Sequence, residues 1–201
     1  KIYDTWQLII DEFITDMQNF LEKKAAKGEK KALRNLLVYN EMVSFPKRFE
    51  LIQNLSYWGY YHSALVELRF MLETLILAYY LDVQLPNTER SAKIKLMQKH
   101  KGELWGERLR TRTYLNDEPL GNEVERTLEE INDSIDEYLE ESSIEIWQKD
   151  YFPYNENEYI ECFYQGKNVS RLMIKHLLKS FPTFEYTGSI ILNVEDPESP
   201  N

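Results

Sequence analysis

Few residues of this chain are equipped for chemistry. It has three histidines, His62, His100 and His176, and one cysteine, Cys162. These spacings compose no recognisable metal set, and no CxxC, HExxH or Glu-x-x-His pair occurs, so neither a metal nor a cofactor is expected. No G-x-G-x-x-G, Walker A lysine loop or G-x-S-x-G elbow is present. What remains is charge. From Arg90 to Arg112 the chain carries Arg90, Lys93, Lys95, Lys99, Lys101, Arg108, Arg110 and Arg112 against only Glu103 and Glu107, with Trp105 and Tyr114 nearby. Cations interleaved with aromatics can hold single-stranded nucleic acid by charge and stacking. The same segment also reads as a solvated face paired with residues 117–161, where sixteen Asp/Glu meet only Arg126 and Lys149. Arg69 and Glu73 stand four apart on an otherwise apolar helix, where they are expected to form an internal structural ion pair. Tyr57, Tyr60, Tyr61, Tyr79 and Tyr80 cluster around that helix, as core packing or as a ligand groove.

The elements that must position these groups are helical. Trp6, Ile9, Ile10, Phe13, Met17, Phe20 and Leu21 recur at spacings of three and four, which predicts an amphipathic helix from Tyr3 to about Lys24 with Asp4 as its cap. A turn at Gly28 leads to a second helix over about Glu29–Val43, and Pro46 either starts a new helix or breaks the old one. Phe49, Ile52, Leu55 and Trp58 form the next stripe, closed by Gly59. Tyr60 to Asp82 is apolar over most of its circumference and reads as the central helix of a bundle. A shorter basic helix, Asn87–Lys101, follows Pro86. The acidic helix Asn122–Glu141 turns Val124, Leu128, Ile131, Ile135, Tyr138 and Leu139 inward, and the last helix, Glu156–Ser180, stops before Pro182. Ser189–Val194 is the one strand-like run, placed to cover the bundle or pair with its own copy.

Composition agrees with this reading. The chain has 201 residues, 43% hydrophobic, with seven Gly and seven Pro, which suits one bundle and argues against a turn-rich sandwich or a Gly-rich doubly wound sheet. The expected fold is all-α: a bundle of five to seven helices over residues 1–182, with an extended C-terminal tail over 183–201. A single cysteine permits no intrachain disulfide and fits a reducing, cytoplasmic setting. The opening residues are interrupted by Asp4, Asp11 and Glu12, unlike a signal peptide. The most apolar run, Leu75–Leu81, is far below the roughly 20 residues of a membrane span. The net charge of −10 gives the whole molecule no general affinity for polyanions.

The string Gly59-Tyr-Tyr-His-Ser-Ala-Leu-Val-Glu-Leu-Arg-Phe-Met-Leu-Glu73 resembles the G-Y-x-x-A-L-x-x-L-R-x-x-L-E helix of HEPN-like helical domains. In that group the Arg and Glu of this helix are structural, which is what the resemblance implies for Arg69 and Glu73. Many HEPN domains are metal-independent ribonucleases that carry an Arg and, after four to six intervening residues, a His late in the chain. Arg171 and His176 match that spacing. The resemblance implies a composite site where two copies of the last helix meet, so a homodimer. There His176 would move a proton at the ribose 2′-hydroxyl or leaving oxygen, and Arg171 would clamp the phosphate. It further implies RNA as partner, with Arg90–Arg112 guiding the polyanion, and a role in toxin–antitoxin or antiviral defence. Read from the residues alone, His176 shares a stripe with Val169, Leu172 and Met173, a half-buried position that leaves Arg171 on the solvent side. That reading makes the chain a catalytically silent module that dimerises or docks a protein partner.

Overall fold

The computed structural model of the protein describes residues 2–99, 117–142 and 154–188, and all the regular structure there is helical. The elements are α1 (Ile2–Ala26), the single turn α2 (Lys30–Leu33), α3 (Leu37–Tyr57), α4 (Tyr61–Gln84), α5 (Arg90–Lys99), α6 (Glu118–Ser142) and α7 (Glu156–Ser180). The expected all-α bundle is what forms. Residues 189–201, including the strand-like run, lie outside the described residues.

Helix α4 is the axis. Ala64, Leu65, Leu68, Met71, Leu72, Leu75, Ile76, Leu77, Ala78 and Leu81 are all buried, more than one side of a helix can hold. Helices α3, α6 and α7 therefore pack around it, and α1 closes the outside of α3. Aromatic rings join these layers. Phe13 of α1 meets Phe45 of α3, Phe45 stacks on Phe49 at 5.1 Å, and Trp6 lies between Phe49 and Phe163 of α7.

Two glycines end helices as the sequence suggested. At Gly59 (φ 81°) the Tyr60 amide donates to the Leu55 carbonyl and the Gly59 amide to Ser56, which reverses the chain from α3 into α4. Gly28 (φ 70°) ends α1 with the same pair of bonds, Glu29 to Lys24 and Gly28 to Ala25.

Four expectations need correction. Asp4 does not cap α1; the helix already includes it. Pro46 neither starts nor ends a helix: α3 runs through it, while the span expected to be helical from Glu29 gives only one turn before Leu36 adopts an extended conformation. A proline within a helix forfeits one backbone bond. Here Met42, Phe45, Phe49 and Ile52 are buried on both sides of it, and that packing holds the helix continuous. Trp58 leaves the stripe of Phe49 and Ile52 and is 60% exposed at the corner.

At Gly166 of α7, rings from α1 and α3 press against the helix backbone. A Cβ there would stand 2.8 Å from Trp6 Cη2 and 3.3 Å from Phe49 Cε2. Alanine favours a helix over glycine by about 1 kcal/mol, but overpacking a core costs about 1–3 kcal/mol. Both contacts are with rigid rings, so Gly166→Ala is expected to lower stability by about 1–2 kcal/mol in urea unfolding, against the helix-propensity trend. Equal or greater stability would show that the rings yield.

Candidate functional site

Helix α7 carries the Arg171/His176 candidate. Asn155 caps it by accepting the Asn157 amide at 3.0 Å, and Glu156 and Glu158 occupy the electropositive first turn. Its inner face buries Tyr159, Cys162, Val169, Leu172, Met173, Ile174 and Leu177. His176 lies on that face with 0% exposure. Its Nδ1 is 2.7 Å from the Leu172 carbonyl, and because a carbonyl only accepts, Nδ1 carries the hydrogen. Tyr79 of α4 meets the ring edge-on at 5.1 Å. Burial holds the imidazole pKa down at about 4, so the ring is neutral at pH 7.

Arg171 points elsewhere. Its Nε is 2.9 Å from Oε1 of Glu123 on α6, and Lys175 pairs with the other oxygen of that carboxylate. One helical turn further on, Lys179 pairs with Asp117. Arg171, Lys175 and Lys179 thus form a cationic ridge at i, i+4 and i+8 that carboxylates on or beside α6 neutralise. The structure puts His176 in the core and Arg171 on this ridge, and the two do not meet at an open cleft within the chain.

The basic segment is divided. Arg90 and Lys95 are exposed on α5, and Lys99 ends that helix. Lys101, Arg108, Arg110 and Arg112 lie outside the described residues. Lys93 is not a surface cation: it has no exposed area, and its Nζ donates to Asp82 Oδ1 at 2.8 Å. The other oxygen of Asp82 accepts the Val38 amide at 2.9 Å, at the start of α3. One carboxylate near the end of α4 therefore caps α3 and anchors α5, and Lys93 is spent on it. Arg69 and Glu73 do pair, at 2.9 Å, but on the outer surface of α4, with the arginine side chain 46% exposed. The half-buried charge cluster sits instead between α3 and α4. There Arg48 reaches Glu67 at 2.9 Å and Glu41 at 3.4 Å, its guanidinium lies over the Phe70 ring, and burial raises the Glu41 pKa.

Sequence reading missed Asp82, Glu123 and Arg48. The i, i+4, i+8 spacing of Arg171, Lys175 and Lys179 was a visible sign of a ridge, but nothing local showed that Glu123 would face it. Two surface features remain at the α3–α4 corner. Tyr57, Trp58 and Tyr60 are exposed there, and the Asn155 amide donates to the Tyr61 hydroxyl at 2.8 Å, which brings exposed Tyr154 to the same end. Beside it an open cavity of about 500 Å³ is lined by Tyr61, Leu65, Ser134, Glu137, Glu158 and Glu161. Among the described residues no group of three or more His, Cys, Asp or Glu side chains could hold a metal ion, and no helix is long and apolar enough to cross a membrane.

Compared with known proteins, the chain matches no family model, no curated protein and no solved structure. The HEPN-like resemblance therefore rests on the Gly59–Glu73 string and the Arg171–His176 spacing.

Two outcomes follow from the buried groups. Below pH 6.5 the unfolded chain takes up a proton at His176 that the folded chain refuses until about pH 4, so His176 costs stability as pH falls through that window, on the order of 3 kcal/mol in total. The wild-type minus His176→Leu difference in urea-unfolding free energy should fall from pH 7 to pH 4 and stay flat above pH 7. A difference independent of pH would mean that the ring protonates freely in the folded state. For the second, Lys93→Ala leaves Asp82 buried without its counter-charge and should cost about 3–5 kcal/mol, whereas Lys95→Ala should stay within about 0.5 kcal/mol. Thermal unfolding of the two variants checks this, and similar small losses would place Lys93 at the surface.

Proposed function

We propose that this chain is an all-helical interaction module, a HEPN-like bundle without a working ribonuclease pair, which docks a protein surface, its own second copy or another chain, through the aromatic corner between α3 and α4. The burial of His176 carries this reading. A general acid or base must come within hydrogen-bond reach of the proton it moves. A neutral imidazole enclosed by α4 and α7, with its Nδ1 hydrogen given to Leu172, has no such reach. Arg171 is bound to Glu123, so a phosphate would have to displace a carboxylate to reach it. Tyr57, Trp58, Tyr60 and Tyr154 supply large, rigid, amphipathic area of the kind that dominates protein interfaces.

The competing reading is a metal-independent endoribonuclease of a defence system. It requires Arg171 and His176 to reach one phosphate, and it is tested directly. Purified wild type should leave single-stranded and structured RNAs intact in EDTA. EDTA-resistant cleavage that falls in Arg171→Ala, with an unchanged circular dichroism spectrum, would overturn the proposal. On the same preparations, Trp58→Ser should weaken whatever association sedimentation velocity detects in the wild type, with an unchanged circular dichroism spectrum. Association indifferent to Trp58 would move the contact away from this corner.

A further inference from the structure

Beyond α7 the described chain does not leave the bundle. Phe181 and Phe184 both pack on Phe20 of α1, with ring centroids 5.4 and 5.5 Å away, and Phe184 is buried. The next four residues lie along one face of α1, the face of Glu12, Asp16, Asn19 and Lys23. The Thr187 amide donates to Asp16 Oδ2 at 2.7 Å and the Thr187 hydroxyl donates to Asp16 Oδ1 at 2.8 Å. Tyr186 reaches Glu12 at 3.4 Å, and Lys23 holds Glu185 at 2.8 Å. Gly188 leaves no space for a side chain between the Tyr186 hydroxyl and Glu12.

The chemistry of this seat is one-sided. Asp16 is buried by the strap, and both of its oxygens are used by neutral donors of a single residue. The charged groups around position 187 are Asp16 and Glu12, with Glu22, Glu185 and Lys23 lining the adjoining cavity of about 260 Å³. Lys23 is the one cation of this set, and it is engaged with Glu185 on the exposed rim. The seat already disfavours negative charge, since burial and the neighbouring Glu12 and Asp16 push the Tyr186 hydroxyl far above its ordinary pKa. Yet Thr187 itself is exposed.

We infer that Phe184–Gly188 is a charge-gated latch on α1, shut while Thr187 is neutral and released when negative charge is placed on it. A neutral hydroxyl satisfies Asp16, whereas an anion at the same place loses that donor and faces carboxylates on both sides. The covalent form of such a charge is a phosphoryl group on Oγ1, transferred from a nucleoside triphosphate with loss of the hydroxyl proton and release of the diphosphate, which adds about −1.5 to −2 charges. Opening would free residues 185–188 and bare the Asp16 face of α1. This inference stands apart from the module proposal, because it uses neither the aromatic corner nor α7's polar residues.

Hydrogen exchange of the full chain, read by mass spectrometry, tests it. Thr187→Ser should exchange like wild type. Thr187→Glu should raise exchange of the 184–188 amides by about tenfold or more, with the amides of Val169–Leu177 unchanged. Thr187→Gln, equal in size and uncharged, should raise it less. Adding Asp16→Asn to Thr187→Glu should restore part of the protection. Exchange in Thr187→Glu no faster than wild type would overturn the latch, and equal effects of Glu and Gln would overturn its gating by charge. Exchange rising together in α7 would make the strap an inseparable part of the core.

Discussion

The structure is organised by one requirement: along its buried length α4 keeps only a narrow strip at Ser63, Val66, Arg69 and Phe70 in water, and every residue from Thr74 to Ala78 must be covered. A helix apolar on one stripe needs a single neighbour, but one apolar nearly all round needs a ring of them. Helices α3, α6 and α7 form that ring. Their amphipathic faces are the complement of a demand set by the residues from Ala64 to Leu81. The tight corner at Gly59 turns α3 back against α4 with three linking residues, Trp58, Gly59 and Tyr60. Gly166 lets α7 come close enough for Trp6 and Phe49 to fill the space between the helices.

Charge is then arranged around this apolar frame rather than within a reactive pocket. Lys93, Arg48 and Arg171 each sit where helices meet and are answered by a carboxylate from another helix. Asp82 with Lys93 ties α3, α4 and α5; Arg48 with Glu41 and Glu67 ties α3 to α4; Glu123 with Arg171 and Lys175 ties α6 to α7. Pairs of this kind add little net energy once desolvation is counted, but breaking one is costly, so they act as registers for helix packing. Cys162 belongs to the same frame: burial drives its thiol up to about 12, which keeps it inert.

Much of this was readable in the sequence, and the boundary between the readable and the hidden has a physical basis. Helical stripes depend on neighbours three and four residues away, so α1, α4, α6 and α7 and the glycine corners at 28 and 59 were legible. The stripe of Val169, Leu172 and Met173 made His176 legible only as half-buried; its full burial depends on α4, which brings Tyr79 against the ring. Pro46 misled because its effect is local while the packing that overrides it is not. Lys93 looked like its neighbours Arg90 and Lys95, since what sets it apart is Asp82, brought to it by the fold. Arg69 and Glu73 showed the reverse: their spacing identified the pair correctly, but its place on the outer surface depends on which side of α4 the other helices choose.

The order of the helices along the chain carries a consequence for synthesis. A ribosome completes α3 and α4 early, and their shared corner lets them associate at once. The helix that fills the groove beside Trp6 and Phe49 comes last: roughly a hundred residues pass between the end of α4 and the end of α7, several seconds or more at ordinary elongation rates of about 5–20 residues per second. Throughout that interval the nascent chain displays most of one side of its most apolar helix. Its passage into the folded state is therefore governed by how well that naked flank is shielded, and a cell short of holding chaperones would feel the deficit at this step, before any mature molecule exists.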